Sequence, residues 1–476
     1  MLPHPGQGAA APARTPAPAP GVSVRDRSLV RRHARRGPDR LDAATALLVL
    51  AWSTVVLPRL VQTLTAAKYR STLADAAPVS AIALRLDQGL TAALILASVL
   101  IVAQRLDALP TRRRAALVVL LAPWAYLVLR DVYAGTLPLH QAQLVYPAVI
   151  TALWALQPRL QSLSVLGYLT AATAMVSILL AVAVPDKGLY RAATGDLISP
   201  AKEILPWGVL VGPFTDGNNL GQFLVLGFPA LLFVARRWLR LLLASCTGFA
   251  LLWTASRSSL AALVVALLAG LCLVRAPAKL RRAVAAGLLL GLTGVGVVVP
   301  IMASSDGAFT NRGILWSDSF QAWSRQPTFG LGSTWYAEIA PSVNGLGGYA
   351  FHAHNQFVQT LVVGGLLNVV LVGVLYGAVT RDAARWAASG SLYPAVSFAT
   401  FLVSGTLEVP LGFVDRDFLL AVTYLPVAFT VFAVAHVDPR SRPSEAPAAS
   451  RQRRDRRLGW RPRTAAPPPD RPRSRT

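Results

Sequence analysis

The sequence predicts an all-α polytopic membrane protein, with about twelve transmembrane helices and a long external loop containing a short amphipathic helix. Apolar residues fill 54% of the 476 positions and charged residues only 14%, against about 25% charged in ordinary soluble domains. The apolar residues fall into blocks near the ~20 residues that a helix needs to cross a bilayer, joined by short charged links. The longest internal polar interruption lies within residues 303–354 and carries NRGILWSDSFQAWSRQPTFGLGSTWY, a Gly/Asn-rich linker and FHAHNQF.

In chain order, residues 1–40 read as a disordered, basic cytoplasmic tail. APARTPAPAPG is low-complexity and has nothing to bury, and RRHARR follows it. Apolar blocks then recur near 42–60, 84–103, 115–130, 142–157 and 163–185. After a polar segment they continue near 218–235, 238–255, 258–274 and 283–302. The loop 303–354 follows, and the last blocks lie near 355–379, 392–410 and 417–436. Together, residues 41–436 form one transmembrane domain, and residues 437–476 form a second disordered, basic cytoplasmic tail.

The basic residues test this arrangement. Arg112–Arg114, Arg236–Arg237, Arg281–Arg282, and Arg381 with Arg385 fall in alternate short links. That is the positive-inside pattern, and it places both termini in the cytoplasm. The formal charge of +24 therefore points to topology and to anionic lipids at the basic tails, not to nucleic acid. Cys246 and Cys272 lie within apolar runs, which argues against a disulfide framework or a thiol nucleophile.

This topology sends every unusual polar motif to the external face. GPFTDGNNLGQF, residues 212–223, runs from a turn straight into a helix. Asp216 or Asn218 can cap that helix, its N-terminal amides can receive an anion, and Asn218 and Asn219 suit sugar hydroxyls. Arg257 in TASRSSL sits between two apolar runs. It is either an interface anchor or a fork of donors for a phosphate. From Arg312, apolar residues recur at Ile314, Leu315, Phe320 and Trp323, as on a short interfacial helix. Pro327 ends it, and Gly330 and Gly332 form a tight turn. Trp316, Trp323 and Trp335 either anchor at headgroup level or stack on sugar rings. In FHAHNQF, His352 and His354 are either structural or proton-accepting, and Asn355 orients a ring or caps the next helix. No HExxH motif or Cys pair supplies the further ligands that zinc needs, so no metal is expected. Polar residues at 408–416, including Glu408, Asp415 and Arg416, share this face.

GPFTDGNNLGQF, TASRSSLAAL, NRGILWSDSFQAWSRQPTFGLGS and HAHNQFVQTLVVGGLLN, in that order, resemble the superfamily of O-antigen ligases and O-antigen polymerases. The resemblance covers roughly residues 40–436. It implies transfer of a glycan from an undecaprenyl-pyrophosphate carrier to an acceptor hydroxyl, on the external face of the inner (cytoplasmic) membrane, without cofactor or metal. It implies that Arg257 binds pyrophosphate, that His354 is the essential loop His, and that Arg312 opens the helix before the Pro-x-x-Gly turn. Relatives often carry a basic residue just before the position of Gly212; here Lys202 is the nearest upstream. The implied partners are a lipid-linked glycan donor and a glycan, lipid or cell-wall acceptor. A polymerase joining lipid-linked repeat units shares these motifs. A transporter would instead show ionisable residues in mid-span or broken helices at matching positions in two halves, and the sequence shows almost no mid-span charge.

Overall fold

A computed structural model describes residues 42–65, 79–111, 113–136, 141–190, 203–303, 309, 312–336, 352–414 and 419–434. Both basic tails, Lys202, the NGLGG linker, Asp415 and Arg416 lie outside the described residues. The described chain is helical, and its β-pairing is one isolated bridge between Leu189 and Leu210.

The helices are α1 (Ala43–Thr65), α2 (Ala81–Ala103), α3 (Arg114–Tyr133), α4 (Gln141–Leu156), α5 (Ser164–Ala183) and α6 (Gly217–Gly227). Then come α7 (Arg237–Trp253), α8 (Arg257–Arg275), α9 (Arg281–Met302), α10 (Arg312–Trp323), α11 (Gln356–Ala388), α12 (Tyr393–Leu407) and α13 (Tyr424–Phe432). Each expected apolar block contains a helix, but the expected span count does not hold. Among the described residues, seven helices are long and apolar enough to cross a membrane, not about twelve.

The difference has a physical cause. An apolar block reads the same whether it faces lipid or is buried in protein. α6 stops after 11 residues at Gly227, where Phe228–Phe233 winds into a 3₁₀ turn at Pro229, a residue with no N–H to continue the ladder. α13 has only nine residues, and all but Val427 are buried. α12 has 15, nearly all buried. Surrounded by other helices, such segments can end within the bundle, because neighbouring protein satisfies their backbone.

α11 is the longest helix, at 33 residues, and it is broken at Gly365 (φ +66°, ψ −169°). The turn after α10 enters this break. Leu331 and Gly332 N–H donate to Val362 O (2.7 Å) and Val363 O (3.0 Å), and Leu366 N–H donates to Pro327 O (2.9 Å). A side chain at Gly365 would meet Gly330 N at 2.6 Å, so both the dihedral and the close approach require glycine here. α3 holds the turn from the other side. Tyr126 Oη donates to Gly364 O (2.9 Å) and Arg130 Nη2 to Gly330 O (2.8 Å). The fully buried Asp131 pairs with Arg130 (2.7 Å) and accepts from Ser333 Oγ and N–H. The turn at 327–333 is thereby plugged into the helix bundle between the C-terminal end of α3 and the break in α11.

Candidate active site

Two groups of the expected residues assemble at this end of the bundle. The first is built on Asn355. Its side chain caps α11 by accepting from Val358 N–H (2.9 Å), while its Nδ2 donates to Gly296 O (3.0 Å) and Thr406 O (2.9 Å). These bonds tie α11 to α9 and α12. Just before it, His354 adopts φ +48°, a left-handed conformation that costs a non-glycine residue about 1–3 kcal/mol unless its surroundings over-determine it. They do. His354 N–H donates to His352 Nδ1 (3.0 Å), Ala353 N–H to Gln359 Oε1 (2.9 Å), and Trp316 Nε1 to Ala353 O (2.9 Å). The two imidazole rings lie 3.9 Å apart between centroids.

Glu408, at the C-terminal end of α12, completes the group. His354 Nδ1 lies 3.2 Å from Glu408 Oε2, and Arg312 Nη2 donates to Glu408 Oε1 at 2.8 Å. Arg312 Nη1 also donates to Leu407 O. The carboxylate is 6% exposed, while His354 and Arg312 retain 19% and 18%. Burial alone pushes the Glu408 carboxyl up. The hydrogen bond and charge of His354, together with Arg312, outweigh burial and bring it down to about 2. An ionised carboxylate only accepts hydrogen bonds. At 3.2 Å from that carboxylate His354 Nδ1 is placed to donate, and Nε2 is the ring nitrogen not engaged by Glu408. A His oriented by a carboxylate is the arrangement of a general base.

The second group surrounds the start of α6. Asp216 caps the helix by accepting from Asn218 N–H, and Asn219 Nδ2 donates to Thr215 Oγ1 (3.3 Å). α6 packs tightly against the α7–α8 turn: a Cβ on Gly221 would lie 2.8 Å from Ser256 Cβ. Ser256 accepts or donates to Ser259 Oγ at 2.8 Å, and the next residue, Arg257, is exposed. α12 lies beside both groups, because Gln222 Nε2 donates to Ser404 Oγ (3.2 Å). Asn218 is four residues before Gln222 and Glu408 four after Ser404. Phe233, past the end of α6, packs on Tyr393 at the start of α12, so the two run antiparallel, and both residues lie roughly 6 Å from that bond toward the same end.

The expected residues differ in how they are used. Trp316 is fully buried beneath Ala353, so in this conformation it braces the His segment and presents no open stacking face. His352 is buried and its Nδ1 is engaged by the backbone; Asn355 is committed to capping. Arg257, Arg312, His354, Asn218 and Asn219 keep accessible surface. Glu408 belonged to the expected polar face but not to the expected site, and Arg130, Asp131 and Gln356 were not expected at all. Nothing local in their stretches distinguishes them.

His352, His354 and Glu408 bring one possible ligand atom each within 4.8 Å of the others. Arg312 already neutralises the carboxylate, and His352 Nδ1 is taken by His354 N–H.

Below the first group, α9, α11 and α12 enclose an apolar cavity of about 120 Å³ lined by Leu292, Gly296, Phe357, Val372, Tyr376 and Leu402. Gly296, which receives Asn355, lies in its wall.

No curated protein matches the chain. Residues 241–373, the stretch that contains Arg257, Arg312, His352, His354 and Asn355, match the O-antigen ligase family model, and the resemblance read from the sequence holds there.

Proposed function

We propose that this protein transfers a glycan from an undecaprenyl-pyrophosphate carrier to an acceptor hydroxyl, at the external face of the cytoplasmic membrane. The observation that carries this reading is the His354–Glu408–Arg312 group, in which Glu408 lies within hydrogen-bond reach of both partners, above an apolar cavity. Such a cavity suits a hydrocarbon-linked donor arriving sideways from the bilayer.

The chemistry follows from the side chains. The acceptor oxygen attacks the anomeric carbon and forms the new C–O bond. The bond from that carbon to the pyrophosphate oxygen breaks, and its electron pair leaves with the pyrophosphate. His354 Nε2 takes the hydroxyl proton, while Glu408 stabilises the resulting imidazolium through Nδ1–H. Arg312 and Arg257 oppose the negative charge that builds on the leaving group. Asn218 and Asn219 offer donors and acceptors to sugar hydroxyls, with Lys202 a further cation for the phosphates. Cleavage of the donor's glycosyl–pyrophosphate bond, with pyrophosphate as a good leaving group, supplies the driving force, so the step calls for no nucleotide, cofactor or metal.

The test is the lipid-linked saccharide that accumulates in a strain lacking this protein. Long polymer left on the carrier supports a ligase, and single repeat units indicate the polymerase reading of the same site. Normal carrier pools and an unchanged surface polysaccharide would overturn both. Purified protein in liposomes should transfer equally well with and without a chelator. Loss of transfer on chelation, restored by a divalent ion, would overturn the metal-free step.

A further inference from the structure

We infer that Gln356 is a positioning residue that holds Glu408 against His354. This rests on the reading of His354 as the proton acceptor. Glu408 lies where α12 has ended and the backbone of residues 408–414 is irregular, so no helix ladder fixes it from the C-terminal side. Two adjacent amides do so instead. Asn355 Nδ2 donates to Thr406 O (2.9 Å), two residues before Glu408. Gln356 grips Leu411, three residues after: its Nε2 donates to Leu411 O (2.9 Å) and its Oε1 accepts from Leu411 N–H (2.7 Å).

A primary amide that meets both backbone groups of one residue fixes orientation as well as distance, as a strand partner would. It also satisfies a buried N–H and C=O that have no helical partner. Gln356 and Leu411 are 6% and 4% exposed, and Gln356 also borders the cavity below, so bulk water has little access to the clasp. His354 and Gln356 are two residues apart, and the chain between them is capped rigidly by Asn355. The Gln356–Leu411 clasp therefore sets the spacing between the two short segments that carry the imidazole and the carboxylate. Near 3.2 Å the carboxylate orients the ring; a displacement of about 1 Å is enough to cost ~10²-fold in rate at a reacting centre.

The experiment is a double-mutant cycle on glycan transfer by the full chain in liposomes, using a lipid-pyrophosphate oligosaccharide donor. The variants are Gln356→Met, which keeps the volume and removes both bonds, Glu408→Gln, and the pair. The expected result for Gln356→Met alone is a kcat lower by about 10–100-fold, with donor KM within about twofold. In the Glu408→Gln background the same change should cost less than about threefold, because a residue that acts through Glu408 has nothing left to position. Equal losses in both backgrounds, a loss confined to KM, or no loss overturns the inference. Should Gln356→Met fail to insert, Gln356→Glu, which keeps the acceptor for Leu411 N–H, enters the same cycle with the same criteria. A Glu408→Gln protein as active as wild type would instead overturn the underlying His–Glu reading.

Discussion

The two polar groups at this end of the bundle are built in opposite ways. Around His354, the polar groups are committed: Ala353, His354, Asn355 and Glu408 are each fixed by hydrogen bonds to other elements, and His352 by His354 N–H. Around Arg257, packing is just as tight in the backbone, at Gly221 against Ser256, yet Arg257 is exposed and Asn218 and Asn219 are half-exposed. The first region resembles a preorganised reaction centre, where fixed dipoles cost no rearrangement during the chemical step. The second resembles a receptive surface, where an exposed cationic fork and amides meet an incoming charged, hydroxylated molecule. Perturbing the first should therefore change turnover, and perturbing the second should change binding.

The largest effect is expected at His354. Replacing it with alanine should lower kcat for transfer by about 10²–10⁴-fold, the usual contribution of a general base, with insertion confirmed by membrane fractionation. His352→Ala should cost less, since it removes only the brace. Full transfer without His354 would dissolve the distinction between the regions. Next is Arg257→Lys, which keeps charge and loses the planar fork. It should lower kcat/KM on the lipid-linked donor by about tenfold or more, through weaker donor binding and less stabilisation of the leaving group; near-normal kcat/KM in a correctly inserted protein would remove Arg257 from phosphate binding.

A third probe addresses the plug behind the reaction centre. Gly365→Ala forces a Cβ into a positive-φ site already in contact with the turn at Gly330. A loss of about 1–3 kcal/mol in stability is expected, read as a lower melting temperature in detergent, together with reduced transfer. An unchanged melting temperature would mean that the turn does not need the break.

The last probe reads the pH dependence of stability at Glu408. Its folded value of about 2 lies below the unfolded value of 4.5. The stability it contributes is therefore complete above about pH 4.5 and is lost as pH falls through the folded value. Wild type and Glu408→Gln should show parallel melting curves between pH 6 and 8. Below about pH 4.5 wild type should lose stability relative to the variant. A gap between the two that stays constant down to pH 3 would show that Glu408 is not held ionised by His354 and Arg312.

Much of the architecture was legible in the sequence. Apolar blocks located each helix, because burying hydrocarbon is a property of local composition. Asp216 and Asn355 were readable as caps, since a short polar side chain just before an apolar run serves the first orphan amides. Pro327, Gly330 and Gly332 announced the turn. The span count was not legible. α12 and α13 are apolar for the same reason as lipid-facing helices, and only their neighbours reveal that protein surrounds them. The break in α11 was also hidden. Gly364–Gly365 is tolerated in many helices, and nothing near it says that residues 327–332 will supply the missing backbone partners.

By itself, then, the sequence determined which segments are helical, that the chain is a polytopic membrane protein, and which Arg and His residues interrupt its apolar runs. Tertiary structure alone decided what those residues meet. Glu408 lies 54 positions from His354 and 96 from Arg312, and Leu411 lies 55 from Gln356. Hydrophobic pattern and capping chemistry act over a few residues and can be read in order along the chain. Pairing between a carboxylate and an imidazole depends on which helix ends come to the same level after packing, and no local stretch contains that information.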